Sequence, residues 1–269
     1  MRALLLLTKY NAAISGLPGR PGLDSGWLER RLRLFREWPL TAVRAQARRP
    51  DRWLIFVDAD TPASHLLPLA KAVDGLGELV PVQGPLSDER VRDLVAERLM
   101  PGVRSLISVR LDSDDAIASS YLARVCQAAL GWSGFINAPL GYRLREGRIV
   151  RCRDRAGPFL SFVEACDGGR PLTVFQVPHH AAERRGPMLQ LAGRPAWLQV
   201  IHGGNLANRF CGWPTSAGEA CDDLGLAALP GWARGELGAR EMAAAVGGQV
   251  RHELGWWMRR VPRRLGGLR

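Results

Sequence analysis

Apolar residues along this chain fall into short runs that stop on polar or acidic positions, separated by stretches of helical spacing. Leu4–Thr8, Arg52–Val57, Leu79–Val82 and Leu106–Leu111 read as buried strands, the second closing on Asp58 and the fourth on Asp112. Trp27, Leu28, Leu32, Phe35 and Trp38 recur at helical spacing within Trp27–Gln46, where Pro39 kinks the helix. His65–Val73 reads as helical despite Pro68. Ser87 followed by Asp88, Glu89 and Arg90 starts a helix with Val91, Leu94, Val95 and Leu99 on one face. Ala116–Ala129 is expected to be the next helix, and Gly16–Gly26, rich in Gly and Pro, a loop. Such alternation of strand and helix predicts an α/β fold, a mostly parallel sheet with flanking helices. Ligands of such sheets bind outside the carboxyl ends of the strands, where Asp58 and Asp112 are expected.

The second half changes character. Gly134–Ala138, Arg148–Cys152, Thr173–Val177 and Trp197–His202 are expected as shorter strands, with Tyr142–Gly147 the turn between hairpin arms. A boundary near Ser133 divides a single domain, 1–235, into a nucleotide half (about 1–132) and an acceptor half (about 133–235). The remainder, 236–269, is basic and amphipathic. Val246, Val250, Leu254, Trp257, Met258 and Val261 fall near helical spacing, beside Arg251, Arg259, Arg260, Arg263 and Arg264. That pattern suits a helix lying on an anionic membrane surface, and equally a packing helix with a solvated basic tail.

Composition narrows the partners. No apolar run approaches the roughly 20 residues of a membrane span, and Leu4–Leu7 is too short for a signal-peptide core. Five scattered cysteines without a C-x-x-C pair argue for reduced thiols in a cytosolic protein without structural zinc, and the membrane alternative for the C-terminal segment would make it peripheral on the inner membrane face. The net charge of +11 is almost all arginine, Lys9 and Lys71 being the two lysines. It permits any polyanionic partner: nucleic acid, anionic lipid or a phosphate-bearing substrate. No helix-turn-helix, zinc-finger or RNA-binding aromatic pattern supports nucleic acid.

The candidate chemistry centres on Ser108-Val-Arg-Leu-Asp112-Ser113-Asp114-Asp115-Ala116. Carboxylates crowded at one strand end repel each other unless something cationic sits among them. A divalent metal that also neutralises a phosphate is the usual solution. The plainer alternative is an acidic N-cap for a helix over Ala116–Ala129.

These residues resemble a known family. The segments Leu40-Thr-Ala-Val-Arg-Ala-Gln46, Trp53-Leu-Ile-Phe-Val-Asp-Ala-Asp-Thr-Pro62, Arg110–Ala116, Phe135-Ile-Asn137 and Trp197-Leu-Gln-Val-Ile-His-Gly-Gly-Asn205 run in order. Together they resemble the GT-A glycosyltransferases of the family 2 type, most of all the bacterial rhamnosyltransferase group. The resemblance implies the GT-A fold and metal-dependent, inverting sugar transfer from a dTDP- or UDP-linked donor to a glycan, glycolipid or protein acceptor. It implies Asp58, Asp112 and Asn205 as nucleotide-binding residues. Asp112, Asp114 and His202 are implied as ligands of Mn2+ or Mg2+, with Asp115 binding the metal or the sugar or only capping the helix. A base on the acceptor side is expected at Glu164 first and Asp167 second. Read from the residues, His179 and His180 either shape the acceptor pocket or are a solvated loop pair. Two other readings compete. Val57-Asp-Ala-Asp-Thr61 superficially resembles the nucleophile strand of haloacid dehalogenase-type phosphohydrolases, with its threonine one residue early. Charge alone suggests a non-enzymatic polyanion binder.

Overall fold

The computed structural model describes residues 1–13, 21–166, 168–203, 209–227 and 235–259. Strands β1 (Arg2–Lys9), β2 (Arg52–Asp58), β3 (Glu78–Val82) and β4 (Ser105–Arg110) are parallel neighbours, as the apolar runs predict. After the short β5 (Ala116–Ile117) come β6 (Gly134–Asn137), β7 (Leu140–Arg145), β8 (Arg148–Arg153), β9 (Leu160–Ala165), β10 (Met188–Gln190), β11 (Trp197–Ile201) and β12 (Trp213–Pro214). The described residues form one sheet in the order β10-β6-β9-β4-β1-β2-β3 and a second in the order β12-β8-β7-β11-β5. The main sheet therefore continues past residue 133, and it is mostly parallel, with β9 running against both its neighbours.

Helices α1 (Ser25–Phe35), α2 (Thr41–Arg44), α3 (Ala63–Val73), α4 (Asp88–Ala96), α5 (Tyr121–Ala128), α6 (Ala182–Arg185), α7 (Ala217–Leu224) and α8 (Ala239–Met258) flank the sheets. Period-two alternation splits β1 between two cores. Leu4 and Leu6 join Leu28, Phe35, Leu69 and Tyr121 on one face, while Leu5 and Leu7 join Val91, Leu94 and Val95 on the other. Pro39 does not end the first helical stretch. It sits in a widened turn, Arg36–Leu40, that absorbs the missing N–H and carries the chain on into α2.

Three sequence expectations are corrected. Ala116–Ala129 is not one helix: Ala116 and Ile117 pair with Leu198 and Trp197, and α5 begins only at Tyr121. The hairpin turn is just Glu146-Gly147, both at positive φ, and Leu140–Arg145 is a full strand. Thr173–Val177 is a buried 3-10 turn over Val174–Gln176, whose Thr173 hydroxyl accepts from Phe175 N, so these β-formers wedge under the sheet without joining it. Beyond these, Leu160–Ala165 forms a central strand of the main sheet.

Trp197 holds the two sheets together. Its ring stacks on Phe159 at 4.6 Å and its indole donates to Ala138 O at 2.7 Å. A Cβ on Gly141 would fall inside that ring. Gly141→Ala is therefore expected to cost about 1–3 kcal/mol through overpacking. An unchanged urea midpoint would show instead that Trp197 can move aside.

Candidate active site

The register aligns Leu7 of β1 with Arg110 of β4 and Lys9 with Phe56 of β2. The carboxyl ends of these strands thus form one edge carrying Lys9–Asn11, Asp58–Thr61 and Leu111–Asp115. Two antiparallel steps through β9 return β6 to the direction of β4, which puts Asn137, and Gln190 beside it, on the same edge.

The acidic turn lies where β4 stops. It caps no helix, because β5 intervenes before α5. Asp112 is gripped by Arg110, with Nε donating to Oδ1 at 2.9 Å and Nη2 to Oδ2 at 2.8 Å. Asp114 is buried and meets Arg31 Nη1 at 3.0 Å and His202 Nε2 at 2.8 Å. Arg31 also donates to the Ser113 hydroxyl and lies over the Trp27 ring. Burial alone would raise the Asp114 pKa; His202 and Arg31 outweigh it and hold the group below the usual carboxylate value. Asp115 goes the other way. Burial, then the charges of Asp114 and Asp112, push it well above that value, although Val200 N donates to its Oδ1 at 2.9 Å. The turn thus sets Asp114, held below the usual carboxylate value, next to Asp115, pushed above it.

Asn11 ties the ends of β1 and β2. Its Oδ1 accepts from Asp58 N at 3.1 Å and its Nδ2 donates to Thr61 Oγ1 at 2.8 Å. Asp58 is buried, and its Oδ1 accepts from Asp60 N at 2.9 Å, so part of its work is the turn itself. Lys9 Nζ sits 4.3 Å from the Phe175 ring centroid, and Arg110 approaches the same ring. Burial lowers the Lys9 pKa, helped by Arg110 and opposed by Asp88 and Asp112. Arg110 Nη1 stands 3.4 Å from His179 Nδ1, and burial together with that charge lowers His179 to about 4. His179 is therefore a neutral acceptor facing a guanidinium. His180 is exposed.

The structure brings Asp58, Asp112, Asp114 and His202 to this edge. Asp167 and Asn205 lie outside the described residues. Glu164 is not at the edge. It pairs with Leu106 near the amino end of β4, about 13 Å along the strand from Arg110 at 3.3 Å per residue. Its oxygens accept from Leu172 N at 2.7 Å and Thr173 N at 3.0 Å, so this 9 % exposed carboxylate anchors the segment after β9. The expected three-ligand cation set is only partly assembled. Asp114 and His202 meet, Asp112 is turned to Arg110, and among the described residues no group of three His, Cys, Asp or Glu is placed to hold a metal ion.

Sequence reasoning missed Lys9, Asn11, Arg31 and Arg110, and with them the cations that balance the acids. Arg110 was legible as the residue before the acidic turn. Arg31, on α1, carries no local signal. Also missed was Asp154, just past β8, whose backbone oxygen accepts from Asn137 Nδ2 at 3.0 Å. Its carboxylate lies between Arg143 Nη2 at 3.2 Å and His252 Nε2 at 3.5 Å.

A family model described as "Putative rhamnosyl transferase" matches residues 23–212. No curated protein matches the chain. Among solved structures, S. aureus TarS 1–349 is similar at 11 % identity and TM-score 0.40, covering 74 % of this chain. The chain spans 60 % of that structure's length. The same fragment in complex with UDP gives 11 % identity, TM-score 0.38, and 75 % and 61 % coverage of this chain and of that one. A putative nucleotide-diphospho-sugar transferase from Desulfovibrio desulfuricans G20 is 18 % identical, TM-score 0.35, covering 74 % of this chain and 80 % of its own.

Proposed function

We propose, from the premise that the chain belongs to the putative rhamnosyl transferase family matched over residues 23–212, that it transfers a sugar from a nucleoside-diphosphate donor with inversion at the sugar carbon. The observation that carries this reading is the acidic turn at the end of β4, which is free of any capping duty and ringed by Arg31, Arg110 and His202. Arg110, Arg31 and Lys9 supply the donors and positive charge that a diphosphate needs. Asp58 and Asn11 stand at the neighbouring strand end, where base and ribose would lie, and Asn205 belongs to the nucleotide side in the same scheme. Asp114 and His202 fit as two ligands of Mn2+ or Mg2+, with Asp112 joining only when Arg110 releases it. A bound ion would neutralise the departing diphosphate.

The acceptor hydroxyl needs a base on the opposite face of the sugar. Glu164 is too far from the edge to serve. Asp154 is the described acid on the acceptor side of the same edge, tied to it through Asn137. Asp154→Asn should abolish transfer yet leave the heat of nucleoside-diphosphate binding nearly unchanged, measured below the variant's melting temperature. Normal transfer by this variant would remove Asp154 from the role of base.

Rhamnose is what the family description suggests; dTDP-linked sugars are the first donor class to try and UDP-linked sugars the second, and the acceptor is a glycan, glycolipid or protein. A panel of nucleotide sugars, with and without Mn2+ or Mg2+, tests the whole reading. Release of nucleoside diphosphate from at least one donor is expected. If no donor is hydrolysed and no nucleoside diphosphate shifts the melting temperature, the reading fails.

A further inference from the structure

Helix α8 packs against the acceptor-side sheet and still carries an apolar face that is exposed among the described residues. Its inner face is set by Ala245, Gln249, His252 and Trp256. Gln249 is fully buried and donates to Arg153 O at 2.8 Å, while Trp256 lies under the Arg155 guanidinium at 4.5 Å. Gly248 lets the helix come close: a Cβ there would stand 2.8 Å from Cys211 Cβ. At 100° per residue the opposite side carries Val250, Leu254 and Trp257, at i, i+4 and i+7, with Met258 beside them. They are 46 %, 54 %, 55 % and 70 % exposed.

We infer that this outer face docks on the surface of an anionic lipid bilayer. The charges fit that occupant. Arg240 and Arg251 fall along one flank of the apolar stripe, and both are exposed. The helix acids are drawn away from it: Glu241 pairs with Arg148 at 3.1 Å, and Glu253 takes the Gln249 amide at 3.2 Å. From 236 to 269 the sequence holds seven arginines against three glutamates. A second copy of this chain would set like rows of arginine against each other, whereas an anionic surface accepts both the apolar stripe and its basic flank. Among the described residues no helix is long and apolar enough to cross a membrane, so α8 lies on the surface and does not span it. Packing and membrane contact, alternatives in the sequence, thus fall to opposite faces of one helix. The inference does not depend on the sugar-transfer reading.

Co-sedimentation of the full chain with vesicles of phosphatidylcholine containing one-third phosphatidylglycerol tests it. Binding is expected at low salt, with a blue shift of tryptophan emission, and is expected to weaken at least tenfold in 0.5 M NaCl or on pure phosphatidylcholine. The double variant Leu254→Gln/Trp257→Gln should lose at least tenfold in partitioning with its melting temperature unchanged, since both side chains are exposed. Arg251→Gln should lose a few-fold. No binding by the wild type at low salt overturns the inference, and so does equal binding by the double variant. Concentration-dependent dimerisation that the double variant abolishes, in the absence of vesicle binding, would assign the stripe to a second copy instead.

Discussion

Asp114→Asn is expected to lower turnover of the hydrolysed donor by about 100-fold or more while the fold stays intact. Asparagine keeps the shape of the side chain and can still accept from Arg31 and His202, at 3.0 Å and 2.8 Å in the wild type. What it removes is a charge that the site maintains against burial. His202 and Arg31 hold the Asp114 carboxyl below its usual range despite its burial. Without that anion, Arg31 loses its ion-pair partner and His202 its reason to point inward, and a divalent cation loses its best-placed ligand. Steady-state donor hydrolysis with and without Mn2+, beside a thermal melt, measures the effect. Near-normal turnover with an unaltered metal response would sink the assignment of Asp114.

Arg143→Met is expected to cost about 3–5 kcal/mol of stability, which is what removing one partner of a buried ion pair typically costs. In a chain of this size each kcal/mol is worth about 2–4 °C, so the melting temperature should fall by roughly 6–20 °C. Arg143 is buried and donates to Gln199 Oε1 at 3.1 Å, Cys211 Sγ at 2.8 Å and Asp154 Oδ2 at 3.2 Å. Methionine fills most of the volume but strands the Asp154 carboxylate with His252 and the Ala156 amide. Burial would raise Asp154; His252 and Arg143 overcome it and depress its pKa. A carboxyl depressed in the folded state stabilises fully above its unfolded value, near 3.9, and that contribution is lost as pH falls through the folded one. The gap between wild type and variant should therefore be widest near neutrality and close in strong acid. The double variant Arg143→Met/Asp154→Leu should recover much of the loss, since it leaves no stranded charge. Urea titrations of the three proteins decide the matter. A loss below about 1 kcal/mol in the single variant would mean that water reaches Asp154 and the pair is not truly buried.

The first four strands were legible because each is an apolar run, β1, β2 and β4 buried on both faces and the edge strand β3 on one, and these runs end at the edge that carries the acidic turn. Asp58 and Asp112 could be placed on that edge from their positions in the chain alone. Glu164 shows where local reading stops. In sequence it is an acid beside apolar residues, compatible with a helix face. Only pairing with β4 and β6 makes Leu160–Ala165 a central strand, and only the antiparallel register sends Glu164 to the amino end of β4. Ala116–Ala129 failed for a related reason. Its residues favour helix, but Ala116 and Ile117 are captured by a strand some 80 residues later, and tertiary pairing overrides propensity.

By itself, then, the sequence determined the alternation of strands and helices, the acidic turn and the amphipathic C-terminal helix, because each is written in periodicity or short-range spacing; His202 came to that turn only through the family resemblance. The tertiary structure alone decided which cations balance which acids, since Arg31 and Asp114 are 83 positions apart in sequence and 3.0 Å apart in space. It also decided the register that removes Glu164 from the edge and brings Asp154 toward it, and which face of α8 is covered. Each of these depends on long-range packing, which leaves no periodic trace in a single chain.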